Sequence, residues 1–454
     1  MNFNPYSRSH LGNPHPVYAA LREEHPIHLN DRPRFWAISR YEDVENALRE
    51  WPIFSSASGI TLDGFSGIKP MIILMDPPRH AELRRVLQKA FTAKRISAQE
   101  SLIRHTARTL LDAIPGEEEV DLVSAFTAPF PIMVIAEMLG VDPRDRELFK
   151  QWSNGIMATG AGEYESLARN YEHIFDYFRG VIAARRASPR DDLVTALVQA
   201  EVDGHKLSDD DILGFCALLL IAGNETTTNL LGNAATVLAA HPDARAEIVA
   251  DMSLLPNAIE EVLRFEGPVP TLTRTTAVAV ALHGHTIDAG EKVMLLLAAA
   301  NRDPRVFDDA DHFDIHRETR KHIAFGSGIH FCMGANLARL EARVAFEELL
   351  ARFPKYSVTA PDPCRTSTPH RFVGPRRCRC DWQADWRTTL IAPAIAQMQI
   401  ASWPAHGTHV AAVTTDTVRR RVGAISRLRR LRVSCRGPRA EVAAVAARCC
   451  WALW

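Results

Sequence analysis

The chain has 454 residues, of which 46% are hydrophobic and 24% charged, with a formal net charge of −1. This is ordinary for a soluble globular protein with a sizeable core, and it marks neither a nucleic-acid-binding nor a membrane-embedded chain. The near-neutral balance hides an asymmetry: residues 376–454 hold 14 Arg, no Lys and 4 acidic residues, so they carry +10 while the preceding 375 carry −11. Two compositions therefore share one chain, a body at 1–375 and a basic Arg/Trp/Cys-rich tail at 376–454. Cysteine usage divides at the same place, with Cys216, Cys332 and Cys364 in the body and five cysteines in the tail. So few cysteines in so long a body suit a reduced, cytoplasmic setting.

In chain order, Met1 to Leu11 has no apolar run, so neither a signal peptide nor a membrane anchor is expected. Phe35-Trp36-Ala37-Ile38 reads as a short strand and Tyr41 to Glu50 as a helix. Amphipathic patterns then predict helices at His80 to Lys89, Ala98 to Ile114, Phe130 to Leu139, Tyr164 to Arg186, Asp209 to Ala240, Pro256 to Phe265 and Met333 to Phe353. Strand signals return near Ala277 to Thr286 and Lys292 to Leu297. Pro-rich turns at 76–78, 268–270 and 361–363 fall between elements. The apolar stretch Ile212 to Ala222 is too short to span a bilayer and runs into Asn224-Glu225. The expected class is α+β, dominated by α-helix.

Three motifs carry chemistry. Phe325-Gly326-Ser327-Gly328-Ile329-His330-Phe331-Cys332-Met333-Gly334 presents one cysteine on a glycine-hinged loop directly ahead of a helix. A helix N-terminus favours an anionic sulfur, and the three glycines let the backbone approach a flat ligand and point amides at the sulfur. The other reading of this loop is a buried structural cysteine. Ser208-Asp209-Asp210-Asp211 starts a long helix with a capping-box pattern, and within that helix lies Ala222-Gly223-Asn224-Glu225-Thr226-Thr227. Ala222 and Gly223 leave room for a diatomic ligand, while Glu225 and Thr226 offer a carboxyl and a hydroxyl for proton delivery. Alternatively this is a small-residue helix crossing, with Thr226 bonded back to a carbonyl four residues earlier. Finally, Glu261 and Arg264 are three apart on a helix and can pair on one face.

The pattern Phe-Gly-x-Gly-x-His-x-Cys-x-Gly resembles the haem-ligand loop of the cytochrome P450 family. Ala-Gly-x-Glu-Thr and Glu-x-x-Arg, in the family's order, resemble its oxygen-activation and structural-pair helices. The resemblance spans roughly Pro5 to Val373. It implies haem b held by Cys332, in a loop that includes Phe325 and Gly326, with His80, Arg84, Arg274 and His330 around the two propionates. A thiolate ligand pushes electron density onto iron and favours O–O cleavage. The implied activity is a monooxygenase that inserts one atom of O2 into an apolar small molecule by hydroxylation or epoxidation, with Glu225 and Thr226 relaying protons. A peroxide-using haem-thiolate enzyme and a non-catalytic haem-binding sensor are the rivals.

The same resemblance implies that Arg317 or His312 completes the Glu261–Arg264 cluster. It points to a pocket near Ile60, Leu62, Phe65, Ile72, Ile73, Val269, Leu272 and Phe372. No flavin or nicotinamide fingerprint is present, so electrons are expected from NAD(P)H through a ferredoxin reductase and a ferredoxin docking near Arg85, Lys89 and Arg343. The family ends in an Arg-Gly then apolar-Pro-apolar strand, which this chain lacks. Reading Cys378 to Trp382 one base upstream would give an apolar residue, Ser or Pro, an apolar residue, Arg or stop, then Leu. A frameshift near Val373 would thus leave 376–454 as unselected, unstructured sequence. The competing reading is a basic extension for nucleic acid or membrane, against which stands the total absence of lysine.

Overall fold

The computed structural model describes residues 3–382 apart from 6, 8, 9, 11, 12, 63–70, 116–118, 146, 150, 153–163 and 362–377. The chain separates into two units, residues 1–390 and 391–454, and every described residue belongs to the first. Helices dominate. In chain order they are α1 (His15–Glu24), α2 (Tyr41–Arg49), α3 (Arg79–Ala90), α4 (Glu100–Asp112), α5 (Pro129–Met138), α6 (Tyr164–Ala187), α7 (Asp209–Ala240), α8 (Leu255–Phe265) and α9 (Ala335–Arg352), with shorter helices between them. The seven long helical patterns of the sequence thus all form, with ends displaced by at most two residues.

The longest helix, α7, forms the centre of the helical mass because its residues are apolar nearly all round. It begins where the sequence says it should. Ser208 accepts from the Asp211 amide at 3.1 Å, and the Asp211 carboxylate accepts from the Ser208 amide at 3.0 Å, so two otherwise orphaned amides are satisfied. Helices α5, α6, α8 and α9 pack around it, α4 packs on α9 and α5, and the main core is continuous from Leu83 and Val86 through Phe130, Ile135 and Leu220 to Val344 and Phe346.

A five-stranded sheet lies outside this core in the order β1-β2-β6-β5-β3, from β1 (Ile27–Asp31), β2 (Arg34–Ile38), β3 (Phe54–Ser55), β5 (Leu272–Thr276) and β6 (Lys292–Leu295). β6 runs parallel to β2 with Val293 opposite Trp36, and antiparallel to β5 with Val293 opposite Arg274. A second sheet joins β7 (Tyr356–Pro361), β8 (Cys378–Trp382) and β4 (Val120–Asp121), in that order. β8 corrects the expectation of a structureless tail from residue 376. Its backbone pairs antiparallel with β7, Val358 opposite Cys380, and with β4, Arg379 opposite Asp121. The ladder is made by main-chain groups, which any sequence supplies. Residues 383–454 lie outside the described residues.

Candidate active site

The cysteine loop is held by its own backbone. Gly326 and Gly328 take φ values of +72° and +68°, conformations that favour glycine, and the Cys332 amide donates to the Phe325 carbonyl at 2.9 Å. Gly328 has a further constraint that the sequence did not reveal. A Cβ there would stand 2.8 Å from the Leu48 carbonyl and 2.9 Å from the Arg49 Cα, so its bareness serves contact with α2. α9 starts at Ala335, two residues later than expected, with Cys332 just ahead of it.

Helix position alone does not make Cys332 acidic. Burial pushes the thiol pKa up, while the Gly334 and Ala335 amides and the charges of Arg84 and Arg339 pull it down without prevailing. The helix-terminal amides favour the anionic sulfur, as the sequence leads one to expect, but by themselves they are outweighed by desolvation. A metal ion would supply the missing positive charge, since a coordinating thiol is deprotonated outright.

Beside this loop the structure gathers basic side chains from three elements. His80 and Arg84 come from α3, Arg274 from β5, and His330 from the cysteine loop. His80 and Arg274 are 1% and 2% exposed. The His80 and His330 rings lie 4.4 Å apart between centroids, and neither His80 nitrogen nor the His330 Nε2 has a hydrogen-bond partner. The Arg274 guanidinium donates to the Thr273 carbonyl at 2.9 Å, and burial lowers its pKa to about 10, with Asp76 offsetting part of that. Burial, followed by Arg274, His80 and Arg84, drives His330 down to about 3. Arg84 donates to the Phe331 carbonyl at 2.6 Å.

Buried donors and cations in such density are costly without an anion. A ligand with two carboxylates fits them, and the neighbouring cysteine fits a metal in the same ligand. The residues present thus suit haem.

On α7, Thr226 donates to the Ala222 carbonyl. Glu225 and Thr226 are half-buried on the same turn. At Gly223 a Cβ would meet Ile135 Cδ1 at 2.8 Å, so the missing side chain also admits α5. This small-residue crossing coexists with the polar pair on the next residues.

The Glu261–Arg264 pair is wholly buried and bidentate, Nε to Oε2 and Nη2 to Oε1 both 2.7 Å, with Arg264 also donating to the carbonyls of Asn301, Ala310 and His312. Arg317 completes the cluster, its Nε 3.2 Å from Glu261 Oε1. His312 contributes only its carbonyl. Arg85 pairs with Asp203, Lys89 donates to the Glu201 carbonyl, and Arg343 pairs with Glu100 and Glu347, so all three basic residues expected to meet a partner already have intramolecular contacts. Ile72 is buried, and Ile60, Leu62, Ile73, Val269 and Leu272 are half-buried. Phe65 and Phe372 lie outside the described residues.

The family model for cytochrome P450 matches residues 161–373. Cytochrome P450 107B1 of Saccharopolyspora erythraea is 43% identical over 369 residues, covering 77% of this chain and 90% of its own. The chain belongs to the cytochrome P450 family. This P450 is also 38% identical over 362 residues to the steroid C26-monooxygenase of Mycobacterium tuberculosis, across 79% of this chain and 90% of that one. The structure of cytochrome P450 CYP109Q5 from Chondromyces apiculatus superposes with a TM-score of 0.78 at 39% identity, over 84% of this chain and 98% of that one. The P450 is an enzyme of the monooxygenase class, and its cofactor is haem b. No helix among the described residues is long and apolar enough to cross a membrane.

Sequence reading missed two groups near the site. Glu260, His322 and Arg339 form a cluster against Phe325. Glu341 is buried between α9 and α7. Both depend on residues distant in sequence, and no local pattern announces them.

Proposed function

We propose that this P450 inserts one oxygen atom from O2 into an apolar small molecule of steroid or polyketide size, with Cys332 as iron ligand. The observation that carries the cofactor placement is the cradle of His80, Arg84, Arg274 and His330 beside that cysteine, two guanidiniums with two imidazoles whose His80 nitrogens and His330 Nε2 have no hydrogen-bond partner. These four residues would hold the propionates, and Cys332 the iron. When bound, haem supplies O2 binding and its reductive cleavage, which thiolate ligation favours. Phe325, Gly326 and Gly328 keep the sulfur in place through the Cys332 amide and the rigid turn. Thr226 holds a proton at its hydroxyl, donated to the Ala222 carbonyl, and Glu225 on the same turn supplies a second, carboxyl, proton carrier for the relay. The Glu261–Arg264–Arg317 cluster has a structural role, tying α8 to the loop that follows Asn301.

The half-buried apolar residues Ile60, Leu62, Ile73, Val269 and Leu272 suit an apolar substrate, and a relative is named for steroid oxidation. Electrons come from a ferredoxin on the thiolate side of a cytoplasmic enzyme. There Phe331 is 42% exposed, beside a groove of about 660 Å³ whose lining includes Arg49, Arg320 and Lys321. The stretch from 376 onward arises from a one-base frameshift near Val373, β8 being the part whose main chain still completes a sheet. Resequencing the gene tests this, and an intact frame through codon 454 sinks it.

The reading itself is tested by the carbon-monoxide difference spectrum of the reduced protein. The wild type should give the red-shifted Soret band of a thiolate ligand, and Cys332→Ser should lose it. A wild-type band that survives in the variant would reject Cys332 as ligand. Titration with steroids and macrolactones, read as Soret shifts, then sorts substrates.

A further inference from the structure

Arg339 lies two turns along α9 from Cys332. Helical side chains lean toward the N-terminus of their helix, and the Arg339 guanidinium comes to rest over the Phe325 ring, 4.5 Å from its centroid. Phe325 is the residue whose carbonyl receives the Cys332 amide. Glu260, on α8, grips this guanidinium with both oxygens, Nε to Oε1 and Nη2 to Oε2, each 2.7 Å. The His322 Nε2 lies 3.0 Å from Glu260 Oε2. Its Nδ1 accepts the Ala324 amide at 3.2 Å, so the ring is neutral with its proton on Nε2, donating to Glu260. Three elements thus meet on one cation beside the cysteine loop.

The geometry exceeds what a surface pair needs. The His322 side chain is only 4% exposed, and Glu260 is 22% exposed. Burial raises the Glu260 pKa, yet the hydrogen bonds of Arg339 and His322 outweigh it and hold the carboxyl at about 2. Glu260 is therefore a full negative charge placed against a full positive one, and the positive one is felt at Cys332. Changing either charge alone leaves a net charge behind Phe325, where partial burial makes it act at longer range than in water.

We propose that the Glu260–Arg339 pair, anchored by His322, sets the electrostatic potential at the Cys332 sulfur and with it the reduction potential of the bound cofactor. Glu260 both aims Arg339 over Phe325 and cancels most of its field. The inference rests on the reading of Cys332 as iron ligand. Glu260 and Arg339 are positioning residues, acting through Phe325 and the sulfur.

The test is spectroelectrochemical titration of the haem-loaded full chain, with the ferrous carbon-monoxide spectrum recorded for each protein. Glu260→Gln preserves hydrogen-bonding shape but leaves Arg339 uncompensated, so it should favour the reduced form. Arg339→Met leaves Glu260 uncompensated and should favour the oxidised form. Each single change should move the ferrous-to-ferric ratio at fixed potential by about threefold to tenfold, tenfold being ~59 mV for one electron. The double variant should return toward wild type. Glu260→Asp and Arg339→Lys keep the charges and should keep the potential near wild type, which separates charge from packing. Shifts of the same sign in both single variants, no shift, or a charge-conserving variant that moves the potential as far as the neutral one would overturn the inference. A wild type lacking the thiolate band would overturn the ligand reading, and this inference with it.

Discussion

Glu341 is 1% exposed, its Oε2 takes the Thr227 hydroxyl at 3.2 Å and its Oε1 has no partner. Burial raises its pKa to about 8, and the Thr227 bond only partly offsets this. The native state therefore holds a proton that the unfolded chain gives up near the ordinary carboxylate value of 4.5. With the folded pKa raised, the stability contributed by protonation is complete below that value and is lost as pH climbs through about 8. Glu341→Gln stays neutral throughout. Urea unfolding at pH 6 and pH 9 should show the variant gaining on wild type by about 2–3 kcal/mol at the higher pH. An unchanged difference would mean that Glu341 is ionised in the folded protein. Such a group shows how little of the site's electrostatics can be read locally: the sequence shows a Glu on an amphipathic helix, and only the packing of α9 on α7 reveals that water cannot reach it.

Among the elements, those with strong local signals were legible and those fixed by long-range contact were not. The capping box at Ser208 and the long apolar run defined α7 to the residue, and the glycine pattern placed the cysteine loop. β5 was missed because Leu272-Thr273-Arg274-Thr275-Thr276 carries an arginine on a buried position and lacks polar–apolar alternation; its identity as a strand comes from pairing with β6. The choice of Arg317 over His312 was likewise invisible until the chain folded back on Glu261. The loop glycines were recognised, but the contact of Gly328 with α2 was not visible in the sequence. Since Gly328 has φ +68° and only 2.8 Å to the Leu48 carbonyl, Gly328→Ala should push the loop off α2. The expected cost is about 1–3 kcal/mol from the backbone conformation, with close contact adding to it. The unfolding temperature and the fraction of protein retaining haem after gel filtration should both fall, whereas Gly180→Ala, at a helix position with open space around it, should lower neither.

For the whole molecule, the decisive boundary lies after β8 and not before it. A chain ended after Leu390 keeps the β7–β8–β4 ladder and should unfold at the temperature of the full chain; one ended after Pro375 removes β8 and should unfold earlier, by differential scanning calorimetry. Equal unfolding temperatures in the two truncations would show that this sheet contributes nothing to cohesion. The basic cradle of His80, Arg84, Arg274 and His330 has a consequence of a different kind. Two guanidiniums and the bare imidazole nitrogens packed beside them oppose closure of the very elements that carry them, and a dianion relieves that opposition only in the closed form. Folding and cofactor capture are then one equilibrium, and the quantity of intact enzyme in a cell follows its porphyrin supply: a culture short of haem precursors would make the polypeptide and lose it to proteolysis.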